Sequence, residues 1–258
     1  MPSPAHARDT APLIKLEGGF KRREQADSAF ELEIPDFTID GGQMVAVVGE
    51  SGCGKSTLLD LIALVMEPSA IDCFELDLAP DGGRHDLAAL WREHNETAMA
   101  ALRRDHFGYV LQTGGLLPFL SVRRNIMLPR EIKGMPDPDQ PLEAVAERVG
   151  LGGYLDRYPD ALSIGQRQRA AILRAIFHRP RLVLADEPTA AVDKARARVI
   201  MADLRRLAQA DDVAVVVVTH DVELVAESCD AAYTFDTGPC VGGTTRSTCR
   251  PVAAGALA

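Results

Sequence analysis

Residues 49–56 read GESGCGKS, three glycines with a lysine and a hydroxyl side chain close behind them. Glycine lets a backbone approach an anion closely, and successive N–H groups at the start of a helix supply hydrogen-bond donors for it. Lys55 can then reach the β- and γ-phosphates of a nucleoside triphosphate, and the Ser56 hydroxyl is placed to ligate Mg²⁺. Gly49, Glu50, Ser51, Gly52, Cys53, Gly54, Lys55, Ser56 and Thr57 are therefore the expected phosphate cradle.

A second pair of residues supplies acids. The apolar run 182–185, LVLA, ends in Asp186 and Glu187, the pattern of a buried strand delivering two carboxylates at its C-terminal edge, where α/β sheets bind ligands. Asp186 would hold Mg²⁺ through its water shell, and Glu187 would polarise a water for attack on the γ-phosphate. Residues 213–218 run into Thr219-His220-Asp221, which sets His220 beside the same edge. There it could sense the γ-phosphate or stabilise charge, although a lone histidine more often serves a satisfied hydrogen bond.

These groups need a scaffold that brings strand ends together. Strand-like runs recur at 13–16, 30–39, 44–48, 108–111, 181–185 and 213–219, with helical patterns between the later ones. That alternation predicts a parallel sheet flanked by helices, an α/β fold. The early runs are too closely spaced for crossover helices and predict an antiparallel patch beside the main sheet. Leu87, Leu90, Trp91, Ala98 and Leu102 fall at helical spacing, which predicts one amphipathic helix over 86–104 packed on its own domain. Residues 135–141, MPDPDQP, form a connector.

Composition excludes several classes. The 258 residues suit one large domain or one domain with a small lobe, and 47% hydrophobic content can fill a core. A formal charge of −9 argues against a nucleic-acid partner. The five cysteines, Cys53, Cys73, Cys229, Cys240 and Cys249, lack CxxC spacing, so reduced thiols are expected rather than disulfides or a zinc site. Cys53 reads as a small residue at a variable loop position rather than as a reactive thiol. No apolar run approaches the roughly 18–20 residues that span a bilayer. Residues 1–12 show no basic start followed by an apolar stretch, so a cytosolic location is expected. Both ends, 1–12 and 237–258, lack periodicity and are expected to be flexible.

Between the two acid-bearing segments and the loop lies LSIGQRQR at 162–169. The phosphate loop, Gln112 after a strand, LSIGQRQR, LADEP and TH, in that order, resemble the ATP-binding cassette (ABC) ATPases across about residues 13–236. The resemblance implies a phosphate-loop NTPase (RecA-like) core with a parallel sheet, an N-terminal antiparallel β patch and an inserted α-helical lobe at about 113–178. It implies ATP and Mg²⁺ as cofactors and a head-to-tail dimer, homomeric or heteromeric, with each ATP between the loop of one subunit and the signature of the other. Ser163, Gly165 and Gln166 would then meet the partner's γ-phosphate. Gln112 would approach Mg²⁺ and the attacking water, Ser56 and Asp186 would complete the metal shell, His220 would be the switch and Asp193 would link the two sites. An aromatic residue stacks on adenine in this family. Phe20 stands at a matching place, and Phe30, the other candidate, reads as core.

With no membrane segment, the resemblance also implies a separate transmembrane permease and a cytoplasmic protein peripheral on the inner face of the plasma membrane. LQTGGLLPFLSVRRNIMLP, after Gln112, is similar to the lipoprotein-release and macrolide-export subgroup, which implies export or mechanotransmission, with residues 116–120 and the helix around Ile126 receiving the permease. An importer subunit, a non-transport ABC protein and a phosphate-loop kinase are the alternatives. The chain departs from the family in three places. Ile164 stands where glycine is usual, the linking loop reads AAVD, and the interval from Ser56 to Gln112 is long, with the extra material near 81–100 expected to enlarge a surface lobe. Isoleucine would strain a left-handed position, so an ordinary φ that preserves its N–H is expected at Ile164.

Overall fold

The computed structural model describes residues 11–25, 28–79, 82–190, 192–239 and 244–252. Its centre is four parallel strands: β3 (Met44–Val48), β8 (Ala214–Thr219), β7 (Leu182–Asp186) and β6 (Phe107–Val110), hydrogen-bonded in that order. β3 and β8 are buried along their whole length, as continuous apolar strands covered on both faces must be. Alternation sends Val45, Val47, Leu182, Leu184, Val216 and Val218 to one core and Met44, Val183, Ala185, Val215 and Val217 to the other.

Helices close both faces. α1 (Lys55–Ile62), whose first turn belongs to the phosphate loop, buries Leu58, Leu59, Leu61 and Ile62 in the first core. The second core is covered by α6 (Ile164–Ile176) and α7 (Lys194–Asp211), and α8 (Val222–Ser228) lies against the edge formed by Val48 and Ala232. α4 (Val122–Lys133), α5 (Leu142–Arg148) and the far face of α6 share a third cluster around Val122, Ile126, Leu142, Leu162 and Leu173. That cluster gives the segment between β6 and β7 a core of its own. Asn125, fully buried, holds its entry loop by accepting from the Leu117 N–H at 2.7 Å and donating to the carbonyls of Leu117 and Leu120.

The N-terminal strands β1 (Ile14–Gln25) and β2 (Ser28–Ile39) form a long antiparallel hairpin, extended by β4 (Cys73–Asp77) and β5 (Arg84–Asp86). This hairpin is continuous with the main sheet rather than set beside it. β9 (Ala231–Pro239) pairs parallel to β3, turns back antiparallel into β10 (Thr244–Val252), and β10 pairs parallel to β2. One ten-stranded sheet results, in the order β5-β4-β1-β2-β10-β9-β3-β8-β7-β6.

Three expectations need correction. Of the C-terminal stretch expected to be flexible, residues 237–239 and 244–252 are paired strand; partners distant in sequence replace the missing local periodicity. Residues 240–243 and 253–258, with Cys240, and residues 1–10 lie outside the described residues. The single helix over 86–104 is two: α2 (Leu87–Arg92) stops at His94, whose φ of 51° no helix accepts, and α3 (Glu96–His106) restarts behind the Asn95 cap. Trp91 is 7% exposed and lies in the first core, so the extra segment fills the domain rather than a surface lobe. Truncating a buried aromatic of this kind costs about 3–5 kcal/mol.

Candidate active site

A cavity of about 570 Å³ opens at the C-terminal edge of β3 and β7. Ser51, Gly52, Gly54, Lys55, Ser56 and Thr57 line it from the loop, Gln112 from the end of β6, and Asp186 and Glu187 from the end of β7. These strand ends converge because β3, β8, β7 and β6 run parallel in register, with Val48 opposite Thr219 and Asp186 opposite Val218.

The loop's shape explains its glycines. A side chain at Gly49 would meet the Cys53 Sγ at 2.6 Å, and Gly54 caps α1 in a left-handed conformation with φ 109°. Cys53 itself is buried beneath the loop, and burial pushes its thiol up. Lys55 Nζ donates to the carbonyls of Gly49 and Glu50 at 2.7 and 2.8 Å, which arches it over the loop.

Ser56 Oγ donates to Asp186 Oδ2 at 3.4 Å. Burial, then the neighbouring Glu187 charge, raises the pKa of Asp186, and the Ser56 bond opposes that shift. A half-buried carboxylate with a hydroxyl and an amide on one cavity wall is the hard oxygen donor set that Mg²⁺ takes, so the residues present fit that ion. One turn further along α1, Tyr109 Oη donates to Asp60 Oδ1 at 3.3 Å and ties β6 to the helix that carries Ser56.

Glu187 takes φ 47°, left-handed for a residue with a side chain, a strain of order 1–3 kcal/mol. Its N–H donates to the Val218 carbonyl at 2.9 Å, which holds that backbone in place. Glu187 Oε1 lies 3.0 Å from His220 Nδ1, and Oε2 is buried without a hydrogen-bond partner. His220 does not line the cavity; it reaches it through Glu187.

The other expected residues lie elsewhere. Ser163 caps α6 in a reciprocal box with Gln166: Gln166 N–H donates to Ser163 Oγ at 3.3 Å, and Ser163 N–H to Gln166 Oε1 at 2.8 Å. Gly165 follows on the same first turn, and Ile164, 53% exposed, avoids positive φ as expected for a helix's first residue. Asp193 caps α7, accepting from the Arg196 N–H at 2.9 Å. None of these signature or linking residues lines the cavity of its own chain.

Phe20 is also outside it. In the hairpin register Phe20 sits opposite Glu33, whereas Phe30 sits opposite Arg23, and Glu33 and Phe30 occupy opposite faces of β2 by alternation. Arg23, Ser28, Ala29 and Phe30, with Thr245 from β10, also line the cavity, and the Phe30 ring abuts Gly54. Arg23 and Thr245 carried no motif; only strand pairing reveals them.

Residues 32–190 match the ABC transporter family. The chain is 36% identical over 232 residues to the probable export ATP-binding/permease protein MacB of Pseudomonas entomophila (strain L48), covering 88% of this chain and 33% of that protein. It thus spans about a third of such relatives. The lipoprotein-releasing system ATP-binding protein LolD of Hydrogenovibrio crunogenus (strain DSM 25203 / XCL-2) is 37% identical over 206 residues, 79% of this chain and 84% of that one. Among solved structures, the dimeric post-hydrolysis state of the ATP-binding cassette MJ0796 bound to ADP and Pi superposes with a TM-score of 0.70 at 27% identity, covering 91% of this chain and 97% of that one. With the phosphate loop, the paired acids and Gln112 assembled in one cavity, the chain belongs to the ABC transporter family.

Proposed function

We propose that this chain is the ATP-hydrolysing subunit of an ABC transporter of the export or lipoprotein-release type, acting as a dimer and driving a separate membrane permease. The observation that carries this reading is a division of labour. Ser56, Gln112, Asp186 and Glu187 share one cavity, while Ser163, Gly165 and Gln166 stand outside it on an exposed helix start.

From its arched position Lys55 neutralises phosphate charge, and the loop N–H groups bind phosphate oxygens. Ser56, Asp186 and Gln112 would hold Mg²⁺, which would neutralise charge on the phosphate oxygens. Glu187 orients the attacking water and accepts its proton, and His220 holds the Glu187 carboxylate from the side. Arg23 and Phe30 take the base end. A second cassette contributes Ser163 and the N–H groups at the start of α6, whose dipole favours the γ-phosphate. Asp193, at the α7 cap, links the two sites.

Membrane association follows from the names of the relatives rather than from any segment of this chain: among the described residues no helix is long and apolar enough to cross a membrane. Phe119, 71% exposed at the entry to α4, is the proposed seat of the permease. Incubation with MgATP tests the reading. Release of ADP and free phosphate, abolished in Lys55→Ala, is expected; transfer of phosphate to a small-molecule acceptor would assign the loop to a kinase instead.

A further inference from the structure

We propose that Ser247, on the C-terminal strand β10, is a positioning residue of the phosphate loop; the proposal rests on the nucleotide-binding reading of that loop. Ser247 is fully buried, and its Oγ donates to the Cys53 carbonyl at 2.6 Å. Its Oγ also lies 2.8 Å from the Thr237 Oγ1, directly across the β9–β10 pairing. A serine hydroxyl has one proton and a carbonyl can only accept. The Ser247 proton therefore goes to Cys53, and Thr237 donates to Ser247, a relay with one direction.

The peptide between Cys53 and Gly54 is planar and trans, so its C=O and N–H point opposite ways. Holding the Cys53 carbonyl toward β10 aims the Gly54 N–H away from β10. That N–H has no partner among the described residues, and Gly54 lines the cavity. Glycine at φ 109° offers little steric resistance to a flipped peptide, so an outside hydrogen bond must set the orientation. The same face of β10 carries Thr245 into the cavity wall and Cys249 into the core beneath. Ser247 thus makes the donor array of the loop depend on a strand nearly two hundred residues away.

The test is calorimetric titration of the full chain with MgATP and, separately, with magnesium pyrophosphate, which probes the cradle without a base. Ser247→Ala leaves the carbonyl without its donor and is expected to raise both dissociation constants about tenfold. Thr248→Ala, on the same strand but bonded to Glu33, is expected to stay within twofold of the parent chain. Ser247→Ala within twofold of a parent that binds both ligands overturns the proposal, as does an equal loss in Thr248→Ala, which would make the effect one of strand stability. If Ser247→Ala does not fold, Thr237→Val is read in its place: a loss of about threefold supports the relay, and unchanged binding overturns it. A parent chain that binds neither ligand overturns the nucleotide reading itself, and the proposal with it.

Discussion

Glu187 and His220 are in contact within one chain: Oε1 of the first lies 3.0 Å from Nδ1 of the second, while the other Glu187 oxygen is buried and unpaired. The pair joins the ends of β7 and β8, which register places side by side. Glu187 is 13% exposed and His220 71%, so the histidine is the exposed member of the pair and the carboxylate the buried one. Replacing His220 with alanine should lower the ATPase rate by ten- to a thousandfold with little change in nucleotide affinity, measured by phosphate release and by titration. A parallel loss of affinity would place His220 in ground-state binding instead.

Asp186 carries a pH signature. Its folded pKa lies above the unfolded value of about 3.9, so the ionised carboxylate weighs against the ligand-free fold. That cost is absent below pH 3.9 and complete once pH exceeds the folded pKa. Asp186→Asn should therefore melt no lower than the parent at pH 7 without ligand, with any gain vanishing near pH 3.5. In MgATP the order should reverse, because the variant loses a proposed metal ligand. A variant that melts well below the parent at pH 7 without ligand contradicts this placement.

The proposed base end of the cavity separates two phenylalanines. Stacking of a base on an aromatic side chain is worth about 1–3 kcal/mol, and an arginine over a ring adds a cation–π contribution. Arg23→Ala and Phe30→Ala should each weaken MgATP binding about tenfold, whereas Phe20→Ala should stay within twofold. Loss of binding in Phe20→Ala alone would restore the adenine to the other face of the hairpin.

Ile164 should be tolerated. It opens α6 without positive φ, so it presents its N–H as glycine would. Ile164→Gly is expected to change the ATPase rate less than threefold; a hundredfold rise would mean that the isoleucine impairs the signature.

What the chain disclosed in one dimension was whatever is contiguous. The phosphate loop, the apolar run before Asp186 and the signature from Ser163 to Gln166 each occupy a few neighbouring residues, so type and spacing suffice. Whatever depends on pairing at a distance stayed hidden. Phe20 and Phe30 both looked eligible, and only the register of Arg23 with Phe30 decides which reaches the cavity. β10 has no hydrophobic alternation, and its strand character comes from β2 and β9. His94 interrupts a helical pattern that the spacing of Leu87, Trp91 and Leu102 carries straight through.

Single-turnover phosphate release by Glu187→Gln under saturating MgATP bears most directly on the reading as a whole. The amide keeps the shape of the side chain but cannot accept a proton. The variant should bind MgATP as tightly as the parent, release phosphate at least a hundredfold more slowly and accumulate as an ATP-bound dimer. Release at the parental rate would remove Glu187 from the role of base.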